Sequence, residues 1–166
     1  GSEKCGLPKF LSKDMAYIMA NVAAFDCKGL SIKRKNPKNQ NELNGIVTKS
    51  LGLAITAAVS TNRDRKGENI AHIALNFSDK NGTSYVEIIF TKGVLSREEE
   101  GEIIDLVALN LLLSYCGFKT SNIIITQYAK MNKFSLPFSC IFNNQEIKYK
   151  EDQDGITYEF WNKNYI

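Results

Sequence analysis

Residues 96–117 constrain the fold more than any other stretch. Ser96-Arg97-Glu98-Glu99 has the spacing of a capping box, with Ser at the N-cap and Glu three positions on. Glu98, Glu100 and Glu102 crowd the positive end of the helix dipole that follows. The helix then turns apolar nearly all round, through Ile103, Ile104, Leu106, Val107, Leu109, Leu111, Leu112, Leu113 and Tyr115. Only Asp105, Asn110 and Ser114 interrupt it, and Gly117 supplies the stop. At about 21 residues it spans roughly 30 Å. A helix apolar on most sides is expected to be buried on most sides, as a central helix or in a subunit interface.

What surrounds that helix is β-rich. Two strand-like runs in residues 69–92 flank Asp79-Lys80-Asn81-Gly82-Thr83, and Asn-Gly is a strong hairpin turn. Centring the turn on Asn81 and Gly82 pairs Phe77 with Val86, Leu75 with Ile88 and Ile73 with Phe90 on one face. It pairs Asn76 with Glu87 and His72 with Thr91 on the other. A second turn at Asn143-Asn144 joins Phe138–Phe142 to Ile147–Lys150, pairing Cys140 with Ile147 and Phe138 with Tyr149. Ile123 to Gln127 reads as another strand. Asp152–Gly155 is read as a tight turn rather than a calcium loop, because the later ligand positions are missing. Ile156, Tyr158 and Phe160 alternate on a last strand.

The first 60 residues read as helical. Leu11, Met15, Ile18, Met19, Val22 and Phe25 fall at spacings of three and four over residues 11–26, with Ser12 as N-cap and Gly29 as stop. Residues 28–41 are basic and Asn-rich, contain Pro37, and read as a surface loop. Over 42–60, Leu43, Ile46, Val47, Leu51, Ala54, Ile55, Ala58 and Val59 form one helical stripe, although Gly45 and Gly52 each cost about 1 kcal/mol against Ala. The expectation is one α+β domain over residues 1–166, an antiparallel sheet with helices on one face, in the order α-α-β-β-α-β-β-β.

With 166 residues and 43% hydrophobic content, the chain is large enough for a core and too apolar for a disordered segment. No run approaches the ~18 apolar residues a membrane span needs. A signal peptide is not visible, which favours the cytoplasm, while a mature exported form stays open. The net charge of +3 conceals an asymmetry: residues 1–70 hold twelve Lys/Arg against six Asp/Glu, and residues 71–166 nine against twelve. That dipole suits a partner with an acidic surface and falls short of a dedicated nucleic-acid binder.

Four cysteines, at 5, 27, 116 and 140, form no CxxC, and one histidine is present, so no metal and no cofactor are expected. Cys116 and Cys140 read as buried small hydrophobes. GxxxxGK[ST], GxGxxG, GxSxG and HExxH are all missing. Glu87 is followed by Ile88 and Ile89, with Lys92 five positions on, which lacks the acid–x–lysine step of restriction-endonuclease-like cores.

Two basic clusters are the candidate binding residues: Lys33, Arg34, Lys35 and Lys38, and Arg63, Arg65 and Lys66. Either suits phosphates or an acidic protein, without the interleaved aromatics of a single-strand binder. The first reading is a non-enzymatic protein–protein interaction module of adaptor, secretion-chaperone or immunity type, with homodimerisation open to it. The rival is a metal-independent ribonuclease or toxin-like domain using His72, Glu87 and Tyr85 for acid–base work, with Arg63, Arg65 and Lys66 at phosphate.

Overall fold

The computed structural model describes residues 8–77, 82–126 and 135–160. The element order is α1 (Lys13–Lys35), α2 (Gln40–Thr48), β1 (Leu51–Ala58), β2 (Asn69–Phe77), β3 (Gly82–Phe90), α3 (Arg97–Tyr115), β4 (Ile123–Ile125), β5 (Phe138–Phe142), β6 (Gln145–Glu146), β7 (Tyr149–Asp152) and β8 (Gly155–Tyr158). A five-stranded antiparallel sheet runs β1-β2-β3-β5-β6, and a smaller sheet runs β4-β8-β7. The α+β class therefore holds. No helix among the described residues is long and apolar enough to cross a membrane. Two compact units are distinguished, one of residues 1–56 and 72–84, the other of residues 57–71 and 85–166.

In the first unit, α1 corrects the basic-loop expectation for residues 28–41. The helix continues through Gly29 to Lys35 and ends at Asn36, whose N–H still reaches Ile32 O and whose left-handed φ of 45° turns the chain out of the helix. Pro37 then prevents continuation. Lys33, Arg34 and Lys35 lie in the last turn, where cations complement the dipole. One unfavourable glycine did not stop a helix whose other end is capped by Ser12 and whose flank is packed.

The side of α1 that packs is its alanine side rather than most of its large apolar stripe. Ala16, Ala20 and Ala24 are buried, while Leu11, Ile18, Val22 and Phe25 are exposed. The reason is β1. Residues 42–60 are not one helix: α2 ends at Thr48, and from Leu51 the chain alternates, with Gly52, Ala54 and Thr56 buried. That face is made of small residues, and so is the face of α1 that meets it. A Cβ placed on Gly52 would lie 2.0 Å from Ala20 O and 2.4 Å from Ala24 N. Ala16, Ala20, Ala54 and Ala74 form the core cluster, with Tyr17 and Met19 packed against it. Asn21 Oδ1 accepts from Asn76 Nδ2 at 2.6 Å, and α2 packs on α1.

The first hairpin forms with a different register. Asn76 Nδ2 donates to Thr83 Oγ1 at 3.1 Å and to Gly82 O at 3.4 Å, so Asn76 faces Thr83 rather than Glu87. Gly82 lies under the Phe77 ring. The shift is four residues, an even number, and so keeps each side chain on its face. Asp79, Lys80 and Asn81 of the expected turn lie outside the described residues.

In the second unit, β3 pairs with β5 through Val86↔Phe142, Ile88↔Cys140 and Phe90↔Phe138. The Asn143-Asn144 turn stands as read, with both residues at positive φ and Ile147 N–H donating to Cys140 O at 2.8 Å. Beyond Ile147 the chain leaves this sheet, so Tyr149 pairs with Tyr158 in the second sheet, not with Phe138. Tyr158 stacks on Phe138 at 3.9 Å and donates its hydroxyl to Phe138 O at 2.7 Å, tying β8 to β5. Ile156, Tyr158 and Phe160 are all buried.

The capping box of α3 is present, and Gly117 follows at φ 77°. The expectation of near-complete burial is not met. Ile103, Ile104, Val107, Ala108 and Leu111 are buried, while Leu106 and Leu109 on the opposite stripe are 43% and 51% exposed. Composition alone suggested a buried rod; the 3.6-residue period gives the helix two sides all the same. Asn110 is a buried interruption with a purpose. Its amide donates to Ser121 O at 2.8 Å and accepts from Ser121 N–H at 3.0 Å, anchoring the chain that leaves α3.

Cys140 is buried and Cys116 is exposed, against the expectation that both are buried. Burial pushes the Cys140 thiol well above its ordinary range, which leaves almost no thiolate near pH 8. A colorimetric disulfide reagent at that pH is expected to modify Cys116 within minutes and Cys140 only after denaturant is added. Rapid labelling of Cys140 in the native protein contradicts the packing described.

Candidate functional site

The acid–base candidates fare poorly on access. His72 is only 7% exposed, which is not the open polar sheet face the sequence suggested. Glu87 is half-buried and accepts the Tyr85 hydroxyl at 3.2 Å, while Tyr85 itself is buried and its N–H donates to Asn143 Oδ1 at 2.9 Å.

The second basic cluster is partly assembled. Arg63, Arg65 and Lys92 line a cleft of about 190 Å³ with Ser60, Thr61, Asp64, Asn69 and Gly93; Lys66 is exposed and outside it. Behind the cleft stands Glu100, a carboxylate with no solvent exposure at the first turn of α3. It accepts from Ser60 N–H at 2.6 Å, Ser60 Oγ at 2.9 Å and Asn69 Nδ2 at 3.2 Å. Asn69 Nδ2 also donates to Ser60 Oγ, and Asn69 Oδ1 accepts from Arg65 Nη2 at 3.1 Å. Lys92 Nζ donates to Arg65 O.

The carboxylate thus fixes the ends of the 61–68 connection, and Arg65 is aimed through Asn69. Glu100 shares a helix face with Ile103, Ile104 and Val107, a spacing that distinguishes it from its acidic neighbours. The sequence reading treated all of these acids as dipole compensation and missed the network. Two guanidiniums and an ammonium around a small cleft suit a carboxylate or phosphate oxygen.

The first basic cluster does not form one patch. Lys33, Arg34 and Lys35 are consecutive on a helix and so point to different sides. Lys38 lies beyond them, where its backbone N–H donates to Glu42 Oε2 at 2.6 Å and helps cap α2. Among the described residues, no three His, Cys, Asp or Glu side chains gather as metal ligands.

The outward side of α1 departs from an ordinary surface. Val22 and Phe25 are 53% and 69% exposed, and Ile18 and Leu11 continue the stripe toward the N-terminus. Lys28 Nζ stands 5.7 Å from the centre of the Phe25 ring. Sequence periodicity located these residues as a stripe; such a stripe ordinarily turns inward, and here only Met19 of it packs on the core cluster. Compared with family models, curated proteins and solved structures, the chain matches none.

Proposed function

We propose that this chain is a non-enzymatic protein-interaction module that binds through the outward side of α1. The observation that carries the reading is the inversion of that helix. Its alanines are spent on the scaffold, and a contiguous row of large apolar side chains is left in water. Single exposed hydrophobics are ordinary, whereas rows of them mark binding surfaces. The row lies on a rigid element, clamped against β1 at Gly52, so little order is lost when it is covered. The Arg63–Arg65–Lys92 cleft offers a separate place for an acidic group of a partner.

Site-specific photo-crosslinking in the protein's own cells tests this. A benzophenone side chain at Val22 is expected to give discrete protein adducts, and the same group at exposed Gly67 is expected to give none above background. Equal, low yields at both positions overturn the reading.

A further inference from the structure

We infer that the α1 surface is covered by a second copy of this chain, with the two α1 helices antiparallel; this rests on the interaction-module reading and names its partner. Within α1, Met15, Ile18, Val22, Phe25, Gly29 and Ile32 recur at alternating spacings of three and four, and Leu11 continues the spacing just before the helix. That is a 3.5-residue repeat sustained over about two and a half heptads of helix, the pattern of a helix–helix seam rather than of a face lying on a sheet. The sheet side of the same helix is the alanine stripe, so each helix face has its own neighbour.

The seam is self-complementary in shape. Its one gap is Gly29, around which a Cβ would meet nothing within 4 Å. With a two-fold axis between Ala23 and Ala24, Ile18 of one copy falls over Gly29 of the other. Val22 then meets Phe25, and Met15 meets Ile32. This register overlaps the helices along their whole length, roughly 35 Å for 23 residues.

Charge selects the direction. Flanking the seam, the first turn carries exposed Asp14, and the second half carries exposed Lys33 and Lys35 with Lys28. In the antiparallel arrangement Asp14 of each copy faces Lys35 of the other, twice by symmetry, and the helix dipoles oppose. In a parallel arrangement Lys28 of one helix would face Lys33 of the other, and the two basic ends would lie together. Like charges at such flanking positions disfavour pairing.

Sedimentation equilibrium on the full chain tests the inference, with circular dichroism as the check on folding. The expected result is a mass rising to twice that of the chain by about 100 µM, the range of a modest interface. Phe25→Glu and Val22→Glu are expected to stay monomeric with native spectra, since neither side chain supports the core. Asp14→Lys and Lys35→Asp are each expected to weaken association about fivefold, and the double reversal to return it to within about twofold of the parent. A parent chain monomeric at that concentration overturns the inference, as does a double reversal no better than the single changes, or a monomer that co-sediments with anionic vesicles. The module reading fails separately: adducts at Val22 to a different protein would keep it and remove self-association, whereas no adducts together with a monomeric chain would remove both.

Discussion

Replacing Gly52 with alanine is expected to cost about 3 kcal/mol of stability, at the upper end for inserting a single methyl into a packed core. The Cβ would stand 2.0 Å from a backbone oxygen and 2.4 Å from a backbone nitrogen of α1, and neither can rotate away. The helix as a body must withdraw by a distance comparable to that overlap, and the contacts of Ala16, Ala20 and Ala24 loosen together. Gly45 gives the matched control. It lies inside α2, and a methyl added there would meet nothing within 4 Å, so Gly45→Ala is expected to stabilise by about 0.5–1 kcal/mol. Urea unfolding of the parent and both variants reads the two effects with opposite sign. Equal midpoints for Gly52→Ala and the parent would show that α1 is not seated on β1 as described.

Glu100→Ala is expected to be comparably damaging, by about 3 kcal/mol, for a different reason. Ser60 N–H and Ser60 Oγ lose their acceptor at once, and Asn69 Nδ2 loses one of its two. Each donor left unsatisfied without solvent costs about 1–3 kcal/mol before relaxation. Glu100→Gln keeps the shape and one acceptor oxygen but turns an amide toward donors, so it is expected to cost about half as much. Thermal unfolding of the two variants, alone and combined with Ser60→Ala, gives the coupling. Strictly additive losses would mean that Ser60 and Glu100 do not act as one unit. Because Asn69 also orients Arg65, both variants are expected to leave the cleft guanidinium less ordered.

What the sequence made legible was local. The Ser96–Glu99 capping box, the Asn143-Asn144 turn and the alternation at Ile156, Tyr158 and Phe160 rest on interactions between near neighbours, and each stands as read. What it concealed was set by distant pairs. Large apolar residues on one side of α1 normally predict the inward side, but this choice belongs to β1, whose Gly52 and Ala54 accept only small residues. The same pair of residues hid β1 itself, because glycine and alanine carry no strand preference and the helical stripe through Leu51, Ile55 and Val59 was the louder pattern. Glu100 was obscured by its acidic neighbours, and only its spacing from Ile103, Ile104 and Val107 sets it apart. The binding candidates Arg63 and Arg65 were visible as a charge cluster, whereas their companion Lys92 comes from the turn after β3 and no local rule connects it to them.

The division of labour within α1 has a consequence for how such a protein can change. On the proposed reading, substitutions at Ile18, Val22 or Phe25 would alter what the helix meets and leave its anchorage intact, while those at Ala16 or Ala20 would do the reverse. Outward and anchoring side chains are thereby interleaved but separable letters of one 23-residue segment. If the outward row is the binding surface, lineages of this chain can exchange partners without first acquiring a compensating repair to the scaffold.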